Sequence, residues 1–300
     1  LKAAVVALVL QAMSRIARRA LQSSLHVILA LASFVALEFA RVPFPFVLLV
    51  AAAAGAYLAR HATSTADAAA DAPPARGAQT ARVAVVGLAL WLLPLLVVAT
   101  TLGGASLWTA IYLFFTKAAL VTFGGAYAVL GYVTSQLVDK LAWVTADQSV
   151  AGLALAETTP GPLIIVLQFM GFMAGWNQPG PLSPLGSALL AGALATWATF
   201  LPSFLFILLG APYVERLTRN ARIAGALGAI TAAVVGVIAT LVLLLAQVVL
   251  FPDGWRAAPD WYAVLIALAA WFLLERARWP LGPVLLAAAA SGLFLQLLQH

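Results

Sequence analysis

Two short stretches of this chain set polar and helix-breaking residues inside otherwise apolar text: Thr122-Phe123-Gly124-Gly125-Ala126-Tyr127 and Glu157-Thr158-Thr159-Pro160-Gly161-Pro162. In a lipid environment irregular backbone is tolerated only where protein or an aqueous cavity covers it. A helix that restarts at such a break aims bare N–H groups and the positive end of its dipole into the cavity, and the ligand that suits this is an anion. A threonine ahead of Pro160 suits an N-cap, and proline suits the first helical turn. Paired glycines let backbone approach a ligand closely. The competing structural reading makes Gly124 and Gly125 helix-packing positions and Pro160 and Pro162 a kink. Two breaks in neighbouring apolar segments favour a binding site over that reading.

Two charges accompany the breaks. Lys117 and Glu157 both lie within apolar segments, where a charge costs at least about 2.5–3.5 kcal/mol on insertion scales. Lys117 could attract an anionic substrate or pair with Glu157. Glu157 could carry a coupling proton, because burial raises a carboxylate pKa, or sit at the interface one turn before the proline. Asp139, Lys140 and Asp147 read as a solvated loop, and Glu38 and Glu275, each three residues before an arginine, read as local ion pairs with Arg41 and Arg278.

The elements that position these residues follow from composition. Of 300 residues 64% are apolar and 9% charged, against roughly 45–50% and 25% in soluble domains, and the mean hydropathy is +1.04. Lipid must be the solvent for most of the chain. The fold class expected is therefore an all-α polytopic membrane protein. Cysteine is absent, which removes disulfides and thiolate chemistry. The three histidines are scattered, so neither a metal site nor a cofactor is expected. No nucleophile–base pair or phosphate loop appears, so no enzyme is expected. The basic residues cluster between apolar runs rather than interleaving with aromatics, which argues against nucleic acid as a partner.

About ten spans are expected, at 1–13, 24–40, 43–59, 83–102, 107–133, 150–176, 186–210, 223–250, 260–275 and 280–298. Those at 107–133 and 150–176 are interrupted. Residues 60–82, small, polar and proline-bearing, read as a cytoplasmic linker. Charge places Arg15, Arg18, Arg19, Arg60, Arg76, Arg82, Lys140, Arg216, Arg219, Arg222, Arg276 and Arg278 in the cytoplasm, with Arg41 and Arg256 outside.

The chain also repeats itself. Residues 31–58 align without gaps to 268–295 at 15 of 28 identical positions, including Glu38/Glu275, Arg41/Arg278, Pro43/Pro280 and Gly55/Gly292. On the threading above the two copies run in opposite directions, an inverted-topology repeat. The organisation expected is 1–59 as the C-terminal remnant of a first repeat, 60–82 as linker, 83–102 as a connecting span and 107–298 as the second repeat. Halves of equal length would leave roughly 120 residues of the first one missing.

TKAALVTFGGAYAVLGYV (116–133) followed by WVTADQSVAGLALAETTPGPLIIVLQFMGFMAGW (143–176) resembles the signature of the chromate ion transporter family, long-chain two-domain type, with likeness over 107–250. FGGAYAVL and LAETTPGP, about thirty residues apart, carry it. Gly131 departs from that pattern, where a proline is expected. The resemblance implies a secondary transporter in the bacterial inner membrane, exporting chromate and conferring chromate resistance. It implies substrate contacts at Phe123, Gly124, Gly125, Tyr127, Thr158, Thr159, Pro160, Gly161 and Pro162, with Lys117 as neighbour and Glu157 as the coupling group. The alternatives are transport of sulfate or another oxyanion, or an inactive truncated scaffold. Partners expected are the oxyanion and the bilayer, and a homo-oligomer fits the plan.

Overall fold

The computed structural model describes residues 2–61, 77–121, 126–158, 162–213, 220–254 and 256–298. Among them are twelve α-helices and no strand: α1 (Lys2–Ala20), α2 (Ser24–Glu38), α3 (Phe44–Leu58), α4 (Gly77–Thr101), α5 (Leu107–Val121), α6 (Ala126–Ser135), α7 (Ala146–Thr158), α8 (Val166–Asn177), α9 (Pro184–Gly210), α10 (Ala221–Leu250), α11 (Trp261–Trp271) and α12 (Leu281–Leu298). Three stretches are long and apolar enough to cross a membrane alone: Thr80–Thr101, Pro184–Gly210 and Ala221–Leu250. Shorter apolar helices include α2, α3 and α5. The protein is an all-α polytopic membrane protein.

Several boundaries differ from the sequence expectation. The span at 107–133 is two helices, α5 and α6, and that at 150–176 is also two, α7 and α8, the latter entered through a 3-10 turn at Leu163–Ile165. Residues 122–125, between α5 and α6, and 159–161, after α7, lie outside the described residues. Helix α1 runs to Ala20 rather than ending near 13, because the arginines that close it favour the negative end of the helix dipole. Helix α4 begins at Gly77, inside the expected linker.

The described helices form two compact units interleaved along the chain. One comprises Pro43–Gly125 and Leu167–Thr231. In it the Tyr112 hydroxyl donates to the Trp91 carbonyl, Trp91 Nε1 donates to Thr116 Oγ1 at 3.3 Å and Trp197 Nε1 donates to the Leu90 carbonyl at 2.9 Å. These bonds tie α4 to α5 and α9 through aromatic residues whose polar atoms need a partner away from water. Gly171 and Gly175, a small-xxx-small pair on α8, lie against Ser187, Ala191 and Ala195 of α9. Without a hydrophobic drive between helices in lipid, close approach at small residues is what holds such a seam.

The other unit comprises Leu1–Val42, Ala126–Val166 and Ala232–His300. Its centre is α1, whose residues Ala3 to Val9 are all buried. Ala4, Ala7 and Leu8 meet Ala270 of α11, Leu274 of the segment that follows it, and Val284, Leu285 and Ala288 of α12. A Lys2–Asp147 ion pair joins the starts of α1 and α7, and an Arg18–Glu275 ion pair joins the far ends of α1 and the α11 segment.

Three helices of this unit end in one and the same way. The last turn widens to bonds spanning five residues: Ala40 N–H to Val35, Leu141 N–H to Gln136 and Ala277 N–H to Phe272. A residue in the left-handed region follows: Arg41 (φ 51°), Ala142 (φ 51°) and Arg278 (φ 53°). Bonds spanning six residues then close it, from Val42 to Ala36, Trp143 to Leu137 and Trp279 to Leu273, at 2.9, 2.9 and 3.0 Å. An acid stands three positions before each left-handed residue: Glu38, Asp139 and Glu275. In the second and third instances the widened turn is a π segment, Gln136–Lys140 and Phe272–Arg276.

The first and third turns belong to the duplicated segments and sit at opposite ends of the unit. The third is at the Arg18 end. The first is near Asp139, seven residues before α7, at the Lys2 end. There burial pushes the Asp139 carboxyl above the usual aspartate range while Arg41 and Lys140 draw it part of the way back. Lys140 thus lies at the end opposite Arg18, whereas the threading put both on one side.

Candidate functional site

Tyr127 is the second residue of α6 and Glu157 the last but one of α7. The Tyr127 hydroxyl donates to Glu157 Oε1 at 2.8 Å, and both side chains are half-buried. This bond brings residues from both sequence motifs together, thirty positions apart. The Tyr127 ring packs against the alanine-rich cluster of α1, α11 and α12, so its hydroxyl stands where that apolar packing ends.

Tyr127 and Glu157 open into a cavity of about 630 Å³, a size usual for small-ligand sites. One wall is a single face of α1: Leu8, Gln11, Ala12, Arg15, Arg18 and Arg19, at the three- and four-residue spacings that align side chains on a helix. The opposite wall is the α11–α12 turn, with Leu274, Glu275, Arg278, Trp279 and Leu281. Four guanidinium groups and two carboxyl groups therefore face one concavity, a formal excess of two positive charges. Arg15 also acts electrostatically on Tyr127.

Local structure explains the wall. A π turn leaves a carbonyl without its regular partner, and Gln11 Nε2 donates to one of these, Leu274, at 2.9 Å. Arg18 pairs with Glu275 and donates to Ser14 Oγ at 2.8 Å. Glu275 was expected to pair with Arg278 three residues on. Arg278 has instead left the helix for the left-handed region, so the helical neighbour geometry is gone and Glu275 takes a partner 257 residues away. Glu38, in the other copy, is exposed and makes no ion pair among the described residues.

At the other end of this unit a second cavity, of about 1180 Å³, is lined by Lys2, Thr145, Asp147, Gln247, Phe251, Asp260, Tyr262 and Ile266 among others. Ile266 packs on the alanine-rich cluster from this side, while Leu8, Leu274 and Leu281 face the arginine cavity from the other. That cluster is the partition between the two spaces.

The remaining expected site residues are dispersed. Lys117 is exposed on α5, in the other unit, and has no ion-pair partner among the described residues. Thr158 closes α7, and Pro162 is exposed just after the break. Phe123, Gly124, Gly125, Thr159, Pro160 and Gly161 lie outside the described residues. Sequence reasoning passed over Gln11, Arg15, Arg18, Arg19, Glu275, Arg278 and Trp279. The arginines of α1 looked like a topology signal, and only the helical register of positions 8, 11, 12, 15, 18 and 19 hinted at one shared face.

Comparison with known proteins bears on the family of the chain. A family model described as chromate transporter matches residues 109–293. A chromate transport protein of Pseudomonas aeruginosa is 38% identical over 164 residues, covering 54% of this chain and 36% of that protein. One from Cupriavidus metallidurans is 30% identical over 177 residues, covering 59% and 39%. An uncharacterized transporter of Bacillus subtilis is 29% identical over 184 residues, covering 60% of this chain and 93% of its own. The chain thus spans between a third and a half of the length of the chromate transport proteins it matches. No solved structure matches.

Proposed function

Because the chain belongs to the chromate transporter family, we propose that it is a secondary transporter of the bacterial inner membrane that carries chromate outward. The single observation that supports this best is the Tyr127–Glu157 bond at the mouth of an arginine-lined cavity. A tetrahedral dianion needs donors and positive charge in a sheltered place, and this cavity offers both. With the Arg15, Arg18, Arg19 and Arg278 end in the cytoplasm, as positive charge favours, the cavity faces the compartment from which an exporter loads.

In this reading the broken segments complete the site. Thr158, Thr159, Pro160, Gly161 and Pro162 supply backbone and hydroxyl donors, and Phe123, Gly124, Gly125 and Lys117 remain candidate contacts on the strength of the family signature. Glu157 exchanges the coupling proton through its bond to Tyr127. Exposure alternates across the partition of small side chains, where Ala4, Ala7, Ala270 and Ala288 offer little volume to displace. The duplicated hairpins, opposed in direction, supply the symmetry such a change uses. The protein performs no covalent chemistry.

The test is chromate uptake into inverted membrane vesicles, with and without excess sulfate. Saturable chromate uptake supports the reading, and its loss in Gly125→Leu and Pro160→Leu, with insertion intact, supports the assigned breaks. Vesicles that take up sulfate and exclude chromate would change the cargo. Uptake of neither by an inserted chain would remove the function.

A further inference from the structure

The geometry points to a second recognition element that the sequence motifs do not contain: an oxyanion-docking vestibule formed by Arg15, Arg18, Arg19 and Arg278, in which Glu275 is a built-in counter-anion that the substrate displaces from Arg18. This inference rests on the oxyanion-transport reading above and adds the residues that capture the ion before it reaches Tyr127 and Glu157.

Three of the four cations come from one face of α1. Like charges three and four residues apart on a helix repel one another, which offsets part of what the helix dipole gains from them, and an anion among them relieves that repulsion. The one carboxylate that does so, Glu275, is bonded to Arg18. Among the described residues Arg15, Arg19 and Arg278 have no carboxylate partner. A guanidinium presents a rigid fork of donors that matches two oxygens of a tetrahedral dianion, and charges on the walls of a concavity concentrate counter-ions there.

A topology signal alone needs only positive charge somewhere in the cytoplasmic segments. It does not need arginines from two segments some 260 residues apart to converge on one cavity that also holds both signature residues. Anionic lipid headgroups share the relevant chemistry, but the concave setting, with Tyr127 and Glu157 inside, favours a free oxyanion.

Trp279 lines the same cavity and supplies the assay. Chromate absorbs where tryptophan emits, so its arrival quenches Trp279, while colourless sulfate competes without quenching. The full chain in phosphatidylcholine nanodiscs should show saturable quenching that is lost in Trp279→Phe. Arg15→Gln and Arg278→Gln should each weaken chromate binding tenfold or more, and Glu275→Gln should tighten it severalfold. Arg15→Lys and Arg278→Lys keep the charge, and with it the topology, yet should still weaken binding at least threefold. Glutamine and lysine variants all within twofold of the parent would overturn the vestibule. If inverted vesicles carrying those same variants still accumulate chromate, the transport reading stands without it; if the parent neither binds chromate in nanodiscs nor accumulates it in vesicles, both fall together. Binding abolished by adding phosphatidylglycerol would assign the arginines to lipid and also overturn the inference.

Discussion

The Tyr127–Glu157 bond joins the two signature motifs, and its strength can be worked out and measured without assuming transport. Tyr127→Phe keeps the ring that packs on the alanine-rich cluster and removes only the donor. Hydrogen bonds to charged groups contribute about 1.5–3 kcal/mol in soluble proteins. Side-chain bonds between helices in membranes average about 0.6 and reach about 1.7 kcal/mol, because the inserted but unpacked state also finds partners. A 2.8 Å hydroxyl–carboxyl bond between half-buried partners belongs near the overlap of these ranges, at about 1.5 kcal/mol. Glu157→Met removes the acceptor while a flexible apolar chain fills the space. The double-mutant cycle of Tyr127→Phe with Glu157→Met, read as unfolding free energy in a denaturing-detergent titration, should give a coupling of about 1–1.7 kcal/mol. Glu157→Gln retains an oxygen acceptor and should recover part of it. Coupling below about 0.3 kcal/mol, the level of independent sites, would mean that the bond does not hold the two motifs together, and the site as described would fail.

Other outcomes follow from the packing. Gly175→Leu in α8 starts with a Cβ 2.5 Å from the Ser187 carbonyl and 2.7 Å from Ala191 Cβ, so it should cost about 1–3 kcal/mol or more of stability, whereas Gly104→Ala, with open space around it, should be neutral by thermal denaturation. Ala142→Gly at a left-handed position should raise stability by up to about 1 kcal/mol; a loss would show that this turn is not strained. Burial holds the Asp139 carboxyl above its ordinary range, so between that ordinary value and the raised one the native state binds more protons than the unfolded state, and stability falls as pH rises through that window. Asp139→Asn should therefore be the more stable form at neutral pH, with its advantage vanishing in acid; an advantage independent of pH would exclude titration as the cause. Asp260→Ala removes the acceptor for the Tyr262 and Ala263 N–H groups at the start of α11 and should cost about 0.5–2 kcal/mol.

What the sequence made legible was whatever depends on local chemistry. The all-α membrane character follows from composition, and the division of 150–176 into α7 and α8 follows from its prolines. The duplicated E-x-A-R-x-P turn could be found by alignment. Its third relative, Gln136 to Val144, could not, because only the acid at Asp139 survives there while backbone geometry carries the rest. Long-range pairing was equally hidden. Arg18 and Glu275 are 257 residues apart, and nearest-neighbour reasoning gave Glu275 to Arg278, which the left-handed turn had already moved off the helix. The arginines of α1 satisfied a topology rule completely, and a pattern already explained prompts no search for a cavity.

The buried run Ala3 to Val9 has a consequence for biogenesis. These residues pack against α11 and α12, which are translated more than 250 residues later. At roughly 5–20 residues per second, α1 waits from about 13 to 50 seconds for the neighbours that will cover it. During that interval its arginine-bearing end has no Glu275 beside it, and its alanine-rich middle offers little side-chain area to lipid. Such a segment is a natural client for an insertase that retains early helices, and slowing translation between α10 and α11 would prolong the period in which quality-control proteases meet it unpartnered.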